Sequence, residues 1–462
     1  MKTLPIPLEI LSKIFILCVY GEGRDYATVH PNEAPLLFTR VCREWRTVAL
    51  SLPQLWEILD LKLDLPKDST RFRSLVSTVQ NWLANRKSLP VSVIVSIQDT
   101  RADRVEELLT VVCNHSRQWR YFNIVLHPSV VVPSALSGSA DSLPLLATCI
   151  IRGNMTMNNS HVLLRALRSA PRLRSLTMEW VDSLQDWILP SPLLEYFSLD
   201  LGDLHQDPCS LHQVFPGISQ CRNLATLVFS GPSDPDTHMV SLSPHVELPQ
   251  LNDLELHVAT QEHLEIFLRS FSLPRLEYTY TEVNVQHMGL QDISLPATLL
   301  ASASYFSSSL HTLNLNFIRF SDITLVQILQ NLPNLVSVGL FLMVFNTHAI
   351  DALTHRFSSE GILVSGQNTK LSDVHLCFDD FTHLLPPYEP FGATFYNRLV
   401  NMVESRWRLP INAVDTNGND IVRLRLFDLD DSDMRFMEEE GPEAFSKFRG
   451  FLDEGLIHRD FA

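Results

Sequence analysis

The sequence predicts a small all-α helical bundle followed by a long α/β repeat solenoid, with a curved parallel sheet inside and helices outside. Three observations carry that prediction. The opening segment LEILSKIFILCVY (8–20) is apolar around more of its circumference than a surface helix needs. A Leu-x-x-Leu-x-Leu phrase, intact or with substitutions, then returns through the following four hundred residues. Segments of helical periodicity separate its copies.

The totals agree with a folded repeat protein. A chain of 462 residues is too long for one compact core unless it is a repeat array. Hydrophobic residues make up 45% and charged residues 19%, which is not a disordered composition. The net charge of −16 argues against general nucleic-acid binding, because neutralising a phosphate backbone needs a basic face. Basic residues are lopsided, 29 Arg against 7 Lys, with no lysine between Lys87 and Lys370.

Glu9 and Lys13 interrupt the first apolar run, unlike the core of a secretory signal. No stretch reaches the roughly 18 uncharged apolar residues expected of a membrane span. VSVGLFLMVF (336–345) reads as a strand and its flank. Seven cysteines without a CxxC pair or zinc spacing point to a reduced, intracellular protein, cytoplasmic or nuclear. Cys18, Cys42, Cys149 and Cys377 lie in apolar segments and are expected as small core residues. Neither nucleic acid nor membrane is an expected partner.

In the first helix Glu9, Ser12 and Lys13 cluster on one side, leaving an apolar arc of roughly 200° where about 100° suffices. The helix therefore wants burial on two sides. A second apolar stretch covers 34–61. Pro35 suits a first helical turn, and Leu37, Val41, Trp45 and Val48 recur at helical spacing on one face. GEGRDYATVHPNEA between the two stretches has turn chemistry and is expected as a loop. About 50 residues without disulfide or metal is near the lower limit of independent stability. The surplus apolar surface is covered either by a partner protein or by the rest of this chain, as in the end cap of a repeat array.

Ile6-Pro7-Leu8-Glu9-Ile10-Leu11-Ser12-Lys13-Ile14-Phe15 resembles the opening of the F-box, Leu-Pro-x-Glu-Ile-Leu-x-x-Ile-Phe, with Ile6 in place of the first Leu. Val41-Cys42-Arg43-Glu44-Trp45-Arg46 resembles its second signature, Val-Cys-x-x-Trp-Arg, and Leu55-Trp56 matches the Leu-Trp that often follows. The form in large mushroom-type fungal F-box proteins is especially similar, including a long loop before Ala34-Pro35-Leu36-Leu37. The resemblance covers about residues 4–61. It implies docking on the Skp adaptor and through it on a cullin, as the substrate-recognition subunit of an SCF-type ubiquitin ligase. Carried over by position, the adaptor-binding set is Ile6, Pro7, Leu8, Leu11, Ile14, Phe15, Val41, Cys42 and Trp45. Some of these would face the adaptor and some the bundle's own core. Such docking is helix-in-groove binding by apolar anchors.

Past residue 61 the repeat phrase has leading residues Leu146, Leu173, Leu194, Leu224, Leu251, Leu276, Leu310, Leu335 and Leu371. Their spacing averages about 28 residues, in the range of leucine-rich repeats. SHVLLRALRSA (160–170), capped at Ser160, QEHLEIFLRSF (261–271) and SDITLVQILQNL (321–332) read as the intervening helices. Strand, loop and helix in rotation build a leucine-rich-repeat-like solenoid. The same rotation extends weakly back through WEILDL, TRFRSLVSTVQNWLANRK, LPVSVIVSI, DRVEELLTVVC and YFNIVL. DIVRLRLF (420–427) is the expected last strand, HLLPPYEPFG (383–392) a linker or lid, and MRFMEEEGPEAFSKFRGFLDEGL a terminal helix. No Gly-rich phosphate loop supports a doubly wound alternative. The expected domains are 1–61, adaptor-binding; 62–427, solenoid, clearest over 143–380; and 428–462, an acidic helical tail or cap.

Strand alternation puts one residue set on the concave face: Thr177, Glu179, Ser198, Asp200, Asp253, Glu255, His257, Tyr278, Tyr280, Glu282, Asn314, Asn316, Asp373 and His375. It mixes carboxylates, amides and aromatics with no Lys or Arg, a wall suited to a basic target protein or simply to water. No nucleophile elbow, P-loop, HExxH or cysteine pair is present, so neither catalysis nor a cofactor is expected of this chain. Asp428, Asp430, Asp431 and Asp433 lack the pattern of a calcium loop and are expected as solvated charges. A solenoid scaffold whose first helices merely cap the array is the other reading.

Overall fold

The computed structural model describes residues 6–20, 29–62, 68–97, 102–126, 143–153, 157–168, 170–179, 192–201, 214–231, 246–258, 260–283, 308–316, 322–341, 347–378 and 392–459. Most of the expected 383–392 linker lies outside these residues. Contacts divide the chain into two compact units, 1–209 with 213–224, and 210–212 with 225–462.

The first unit opens with helices α1 (Leu8–Tyr20), α2 (Phe38–Val41) and α3 (Arg43–Ser51). The helical spacing of Leu37, Val41, Trp45 and Val48 is not carried by one continuous helix. Helix starts at Phe38 and breaks at Cys42, whose backbone is extended and whose thiol accepts the Trp45 N–H at the start of α3. The break turns Leu37 and Val41 outward and leaves Val48 inside, so the expected apolar face is split. Cys18 and Cys42 are exposed, not core; Cys149 is buried and Cys377 half-buried.

Six parallel strands follow: β1 (Ile58–Lys62), β2 (Val91–Ile97), β3 (Trp119–Leu126), β4 (Thr148–Arg152), β5 (Ser175–Glu179) and β6 (Tyr196–Asp200). Each pairs with the next in sequence. Parallel neighbours need a crossover, supplied here by helices such as α4 (Ser69–Asn85) and α5 (Ala102–Cys113). Asp68 caps α4, accepting the N–H groups of Thr70 and Arg71. Phe72, Val76, Val79, Trp82 and Leu83 form its buried stripe. Helix α6 (Met157–Leu167) begins three residues before Ser160, which is therefore interior and not a cap. Helix α7 (Val214–Ile218) completes the unit.

The second unit repeats the scheme with seven parallel strands: β7 (Thr226–Ser230), β8 (Asp253–Val258), β9 (Tyr278–Val283), β10 (Thr312–Asn316), β11 (Ser337–Phe341), β12 (Asp373–Cys377) and β13 (Leu426–Leu429). Again neighbours in sequence are neighbours in the sheet. On β8, β9 and β10 the alternate residues Leu254, Thr279, Thr281, Leu313 and Leu315 are buried beneath α8 (Gln261–Ser270) and α9 (Asp322–Asn331). The opposite residues stay half open. Sequential parallel strands with helical returns on one face are a leucine-rich-repeat-like solenoid.

All nine leading leucines are at most 1% exposed. Most sit at the close of a turn, where the Leu N–H donates to the carbonyl three residues earlier, as for Leu146, Leu173, Leu251, Leu276 and Leu335. The second residue of these turns is Pro144, Pro171, Pro249, Pro274 and Pro333, the position whose φ proline presets. Asn368 replaces the usual apolar turn residue ahead of Leu371. It takes a left-handed φ of 53° and its amide donates to Leu329 O and Leu332 O, a bond set an asparagine can make.

The C-terminal end carries three helices, α11 (Ala393–Trp407), α12 (Asp431–Glu440) and α13 (Pro442–Asp453), with α10 (Thr347–Leu353) before them. The expected single terminal helix is broken at Gly441 between α12 and α13. The last strand starts at Leu426, later than expected. Arg406 of α11 is fully buried and donates to the backbone carbonyls of Leu353, Gln367 and Asn368. Burial pulls its pKa down to about 9. Asp428 and Asp433 are buried rather than solvated. Asp433 accepts the Phe378 N–H at 2.6 Å, tying α12 to the end of β12. Among the described residues no helix is long and apolar enough to cross a membrane.

Candidate binding surfaces

Helix α1 has two apolar faces with different fates. Leu11, Phe15 and Val19, at four-residue spacing, are buried. Phe15 stacks on Phe38 at 4.1 Å and meets Trp45 edge-on at 5.0 Å, which makes a small aromatic core. Tyr20 fixes the end of the helix by donating to Gln54 O at 2.6 Å; burial first and Glu57 second raise its pKa. The other face is open: Leu8 is 54% exposed and Leu17 67%, with Ile10 and Ile14 between them.

The nine residues of the adaptor-binding set divide accordingly. Ile6, Pro7, Leu8, Ile14, Val41 and Cys42 are exposed, and Trp45 is half-buried against Phe15 and Phe38. Leu11 and Phe15 are interior, so they hold the bundle and are not free to touch a partner. The reason is the period: positions 11 and 15 share the one face of α1 that meets Phe38 and α3, while 10, 14 and 17 lie opposite. Exposed Leu37 and Ile10, outside that set, add to the apolar surface.

In the second unit a polar face forms as alternation predicts. Asp253, Glu255 and His257 on β8 stand in register with Tyr278, Tyr280 and Glu282 on β9, and the last two of these with Asn314 and Asn316 on β10. His257 lies between two carboxylates, its Nε2 2.8 Å from Glu255 Oε1 and its Nδ1 3.1 Å from Glu282 Oε2. The Tyr280 hydroxyl donates to Glu282 at 3.0 Å and accepts from Asn316 at 2.9 Å. Asn314 donates to the hydroxyl of Tyr278. The bond to Glu282 raises the His257 pKa most, against a lowering by burial, with Glu255 adding to the rise. The same bond holds Glu282 low. Burial raises Asp253, Glu255's charge adding to it, and takes Tyr280 up to about 12.

Gly339 on β11 comes next in the row, paired with Asn314 and His375. A Cβ there would strike the Asn314 side chain and the Phe341 ring. The row ends in a second cluster. His375 Nδ1 is 2.8 Å from Asp428 Oδ2, and Asp428 also accepts the Arg459 N–H at 2.7 Å. Asp373, its neighbour on the same side of β12, is clasped by the Arg425 guanidinium at 3.0 Å and by Ser372 at 2.8 Å.

In the first unit Glu179 and Asp200 are in register on β5 and β6 with Thr177 and Ser198 beside them. Glu179 is held by Arg152 at 2.9 Å. The expected absence of basic side chains from this face is thus corrected. Arg152 stands on the open side of the adjacent β4 in the first unit, where alternation with Thr148 and Ile150 places it, and Arg425 reaches Asp373 in the second unit from just before β13. Asp428 was missed as well, because a carboxylate in an acidic run looks solvated until the strand that buries it is placed. What stays partly exposed is the corner of Asp253, Glu255 and Tyr278, a hydrogen-bond-accepting, aromatic surface suited to a guanidinium or ammonium group even with Glu255 on His257 and Tyr278 on Asn314. Among the described residues no His, Cys, Asp and Glu group is arranged to hold a metal.

No protein-family model and no curated protein matches this chain. Among solved structures, the crystal structure of a TLR13–ssRNA13 complex matches over 82% of this chain at 12% identity with a TM-score of 0.30. The match spans 55% of that chain's length. The fold assignment rests on the strand ladder itself.

Proposed function

We propose that this chain is the substrate-recognition subunit of an SCF-type cullin-RING ubiquitin ligase, its N-terminal helices docking on the Skp adaptor. The observation that carries this reading is the open face of α1. A helix already anchored by Leu11, Phe15 and Val19 still exposes Leu8, Ile10, Ile14 and Leu17. An apolar face of that kind on a small bundle marks an interaction site. The F-box resemblance of residues 4–61 names the occupant. Ubiquitin transfer would be done by partner subunits, and the chain itself is a non-catalytic receptor. The solenoid, an architecture suited to protein–protein interaction, would hold the target. The Asp253, Glu255 and Tyr278 corner would take a basic segment of it.

Co-purification with a recombinant Skp adaptor tests the docking. An Ile14→Asp, Leu17→Asp variant alters only exposed positions, so circular dichroism should find it folded. The reading expects a one-to-one complex with wild type that the variant loses. An undiminished complex would move the contact elsewhere. No complex with wild type would leave the second reading, a scaffold capped by its own first helices.

One observation favours that second reading. Trp56 and Trp82 are buried edge-to-face at 5.1 Å, Trp56 Nε1 donates to Ala49 O, and Trp82 Nε1 donates to Trp56 O. The bundle is therefore packed on the first solenoid helix, as a cap would be.

A further inference from the structure

The turns that lead into the strands of the first unit share a sequence. Pro144-Leu145-Leu146-Ala147, Pro171-Arg172-Leu173-Arg174 and Pro192-Leu193-Leu194-Glu195 occupy the same corner of three successive repeats. Backbone bonds line up their last residues with Arg120 of β3. Ala147 N donates to Arg120 O, Arg174 N to Ala147 O, and Glu195 N to Arg174 O, at 2.8–2.9 Å. Arg120, Ala147, Arg174 and Glu195 thus stand side by side, one per strand. With strands about 4.8 Å apart, the two arginines flank Ala147 at a backbone separation of about 10 Å.

The small side chain between them leaves an open depression of about 560 Å³, lined by Arg120, Arg172, Arg174, Leu145, Ala147 and Pro171. Arg174 is paired with Glu195. Among the described residues no ion pair engages Arg120 or Arg172, although the Arg120 charge reaches Glu57 through space. Three guanidinium groups around a half-apolar hollow are unusual ground in a chain of net charge −16. Guanidinium groups bind carboxylates by paired, charge-assisted hydrogen bonds. The apolar lining gives no advantage to a bare anion but does to a peptide. A nucleic-acid backbone needs a basic track, and here the next position in the row is Glu195.

We propose that this depression binds an acidic peptide segment of a partner protein. One carboxylate sits over Ala147 between Arg120 and Arg174, and its apolar neighbours lie on Leu145 and Leu193. This site is separate from the adaptor-docking face and from the polar face of the second unit, and it stands whether or not the chain serves a ligase.

Fluorescence anisotropy on the full chain tests it, using a labelled Leu-Glu-Leu-Glu-Leu peptide and its Leu-Gln-Leu-Gln-Leu counterpart. The Glu peptide should bind at least about tenfold tighter than the Gln peptide. Arg120→Gln with Arg174→Gln should remove that preference. Ala147→Phe should too, since it keeps every charge and fills the hollow. Arg71→Gln with Arg73→Gln, exposed on α4, should change nothing, and circular dichroism should find all variants folded. Equal binding of the two peptides, no binding of either, or wild-type affinity in a folded Ala147→Phe variant would each overturn the assignment.

Discussion

The N-terminal bundle and the polar face of the second unit both hold residues that sequence periodicity marks as contacts, and they treat them in opposite ways. The bundle leaves Leu8, Ile10, Ile14 and Leu17 of α1 exposed, and among the described residues no side chain covers them. The polar face closes on itself: His257 is held by two glutamates, Asp373 by Arg425 and His375 by Asp428. Apolar surface has no internal substitute for burial, so it waits for a partner. Polar groups can satisfy one another, so a ligand at that face must compete with bonds already made. The difference predicts that losing a partner residue in the bundle costs binding, whereas losing one on the polar face costs stability.

The largest effect should come from the bundle's inner face. Phe15→Ala should destabilise the first unit by about 3–5 kcal/mol, while Leu17→Ser, two residues on, should stay within about 0.5 kcal/mol. Urea titration followed by tryptophan fluorescence would resolve the pair, and equal costs would break the two-face description of α1. On the polar face, Asp428→Ala removes a buried carboxylate and strands His375 and the Arg459 N–H. A loss of about 3 kcal/mol is expected in thermal unfolding, and a neutral result would mean that this end of the face is not self-satisfied.

Gly339→Ala should cost about 1–3 kcal/mol by driving a methyl into Asn314 and Phe341. The polar face can absorb even that small an addition only by breaking the Asn314–Tyr278 bond, so a wild-type melting temperature would count against its close packing.

The smallest effect is the dependence on pH. His257 has a raised pKa, so its bonds to Glu282 and Glu255 contribute fully below the ordinary imidazole value and are lost as pH rises through the raised one. Glu282 has a lowered pKa, so its share is present above the ordinary carboxylate value and lost as pH falls through the lowered one. As pH rises from the ordinary imidazole value through the raised one, the wild type should therefore lose melting temperature relative to His257→Gln. Over the same range Glu255, His257 and Glu282 change from two carboxylates against one imidazolium to two carboxylates alone. Binding of a labelled poly-arginine peptide should strengthen accordingly, and a flat profile would separate His257 from that surface.

Much of this was legible beforehand. The leading leucines from Leu146 to Leu371 are all core, and the half-open side of each strand from Asp253 to Asn316 follows from alternation. The single apolar face expected of Leu37, Val41, Trp45 and Val48 was misread, because Cys42 adopts an extended conformation that its neighbours' periodicity hides. The turn prolines, Pro144 to Pro333, were a signal in plain view beside the leucines. Arg425 and Asp428 could not be assigned to the polar face, because Arg425 reaches it from the approach to β13 and Asp428 from a strand whose register with β12 is set only in the fold; Arg152 was readable on the open side of β4.

By itself the sequence determined the ladder, since burying one side of each short strand requires Leu at fixed positions and a turn ahead of it. It also determined that α1 has more apolar surface than one interface needs. Only the tertiary structure decided which side of α1 is spent on Phe38 and Trp45 and which stays open. It alone decided which carboxylates are paired, and that Ala147 sits between Arg120 and Arg174. Those outcomes depend on register between segments far apart in the chain, and periodicity within a segment carries no information about its neighbour's register.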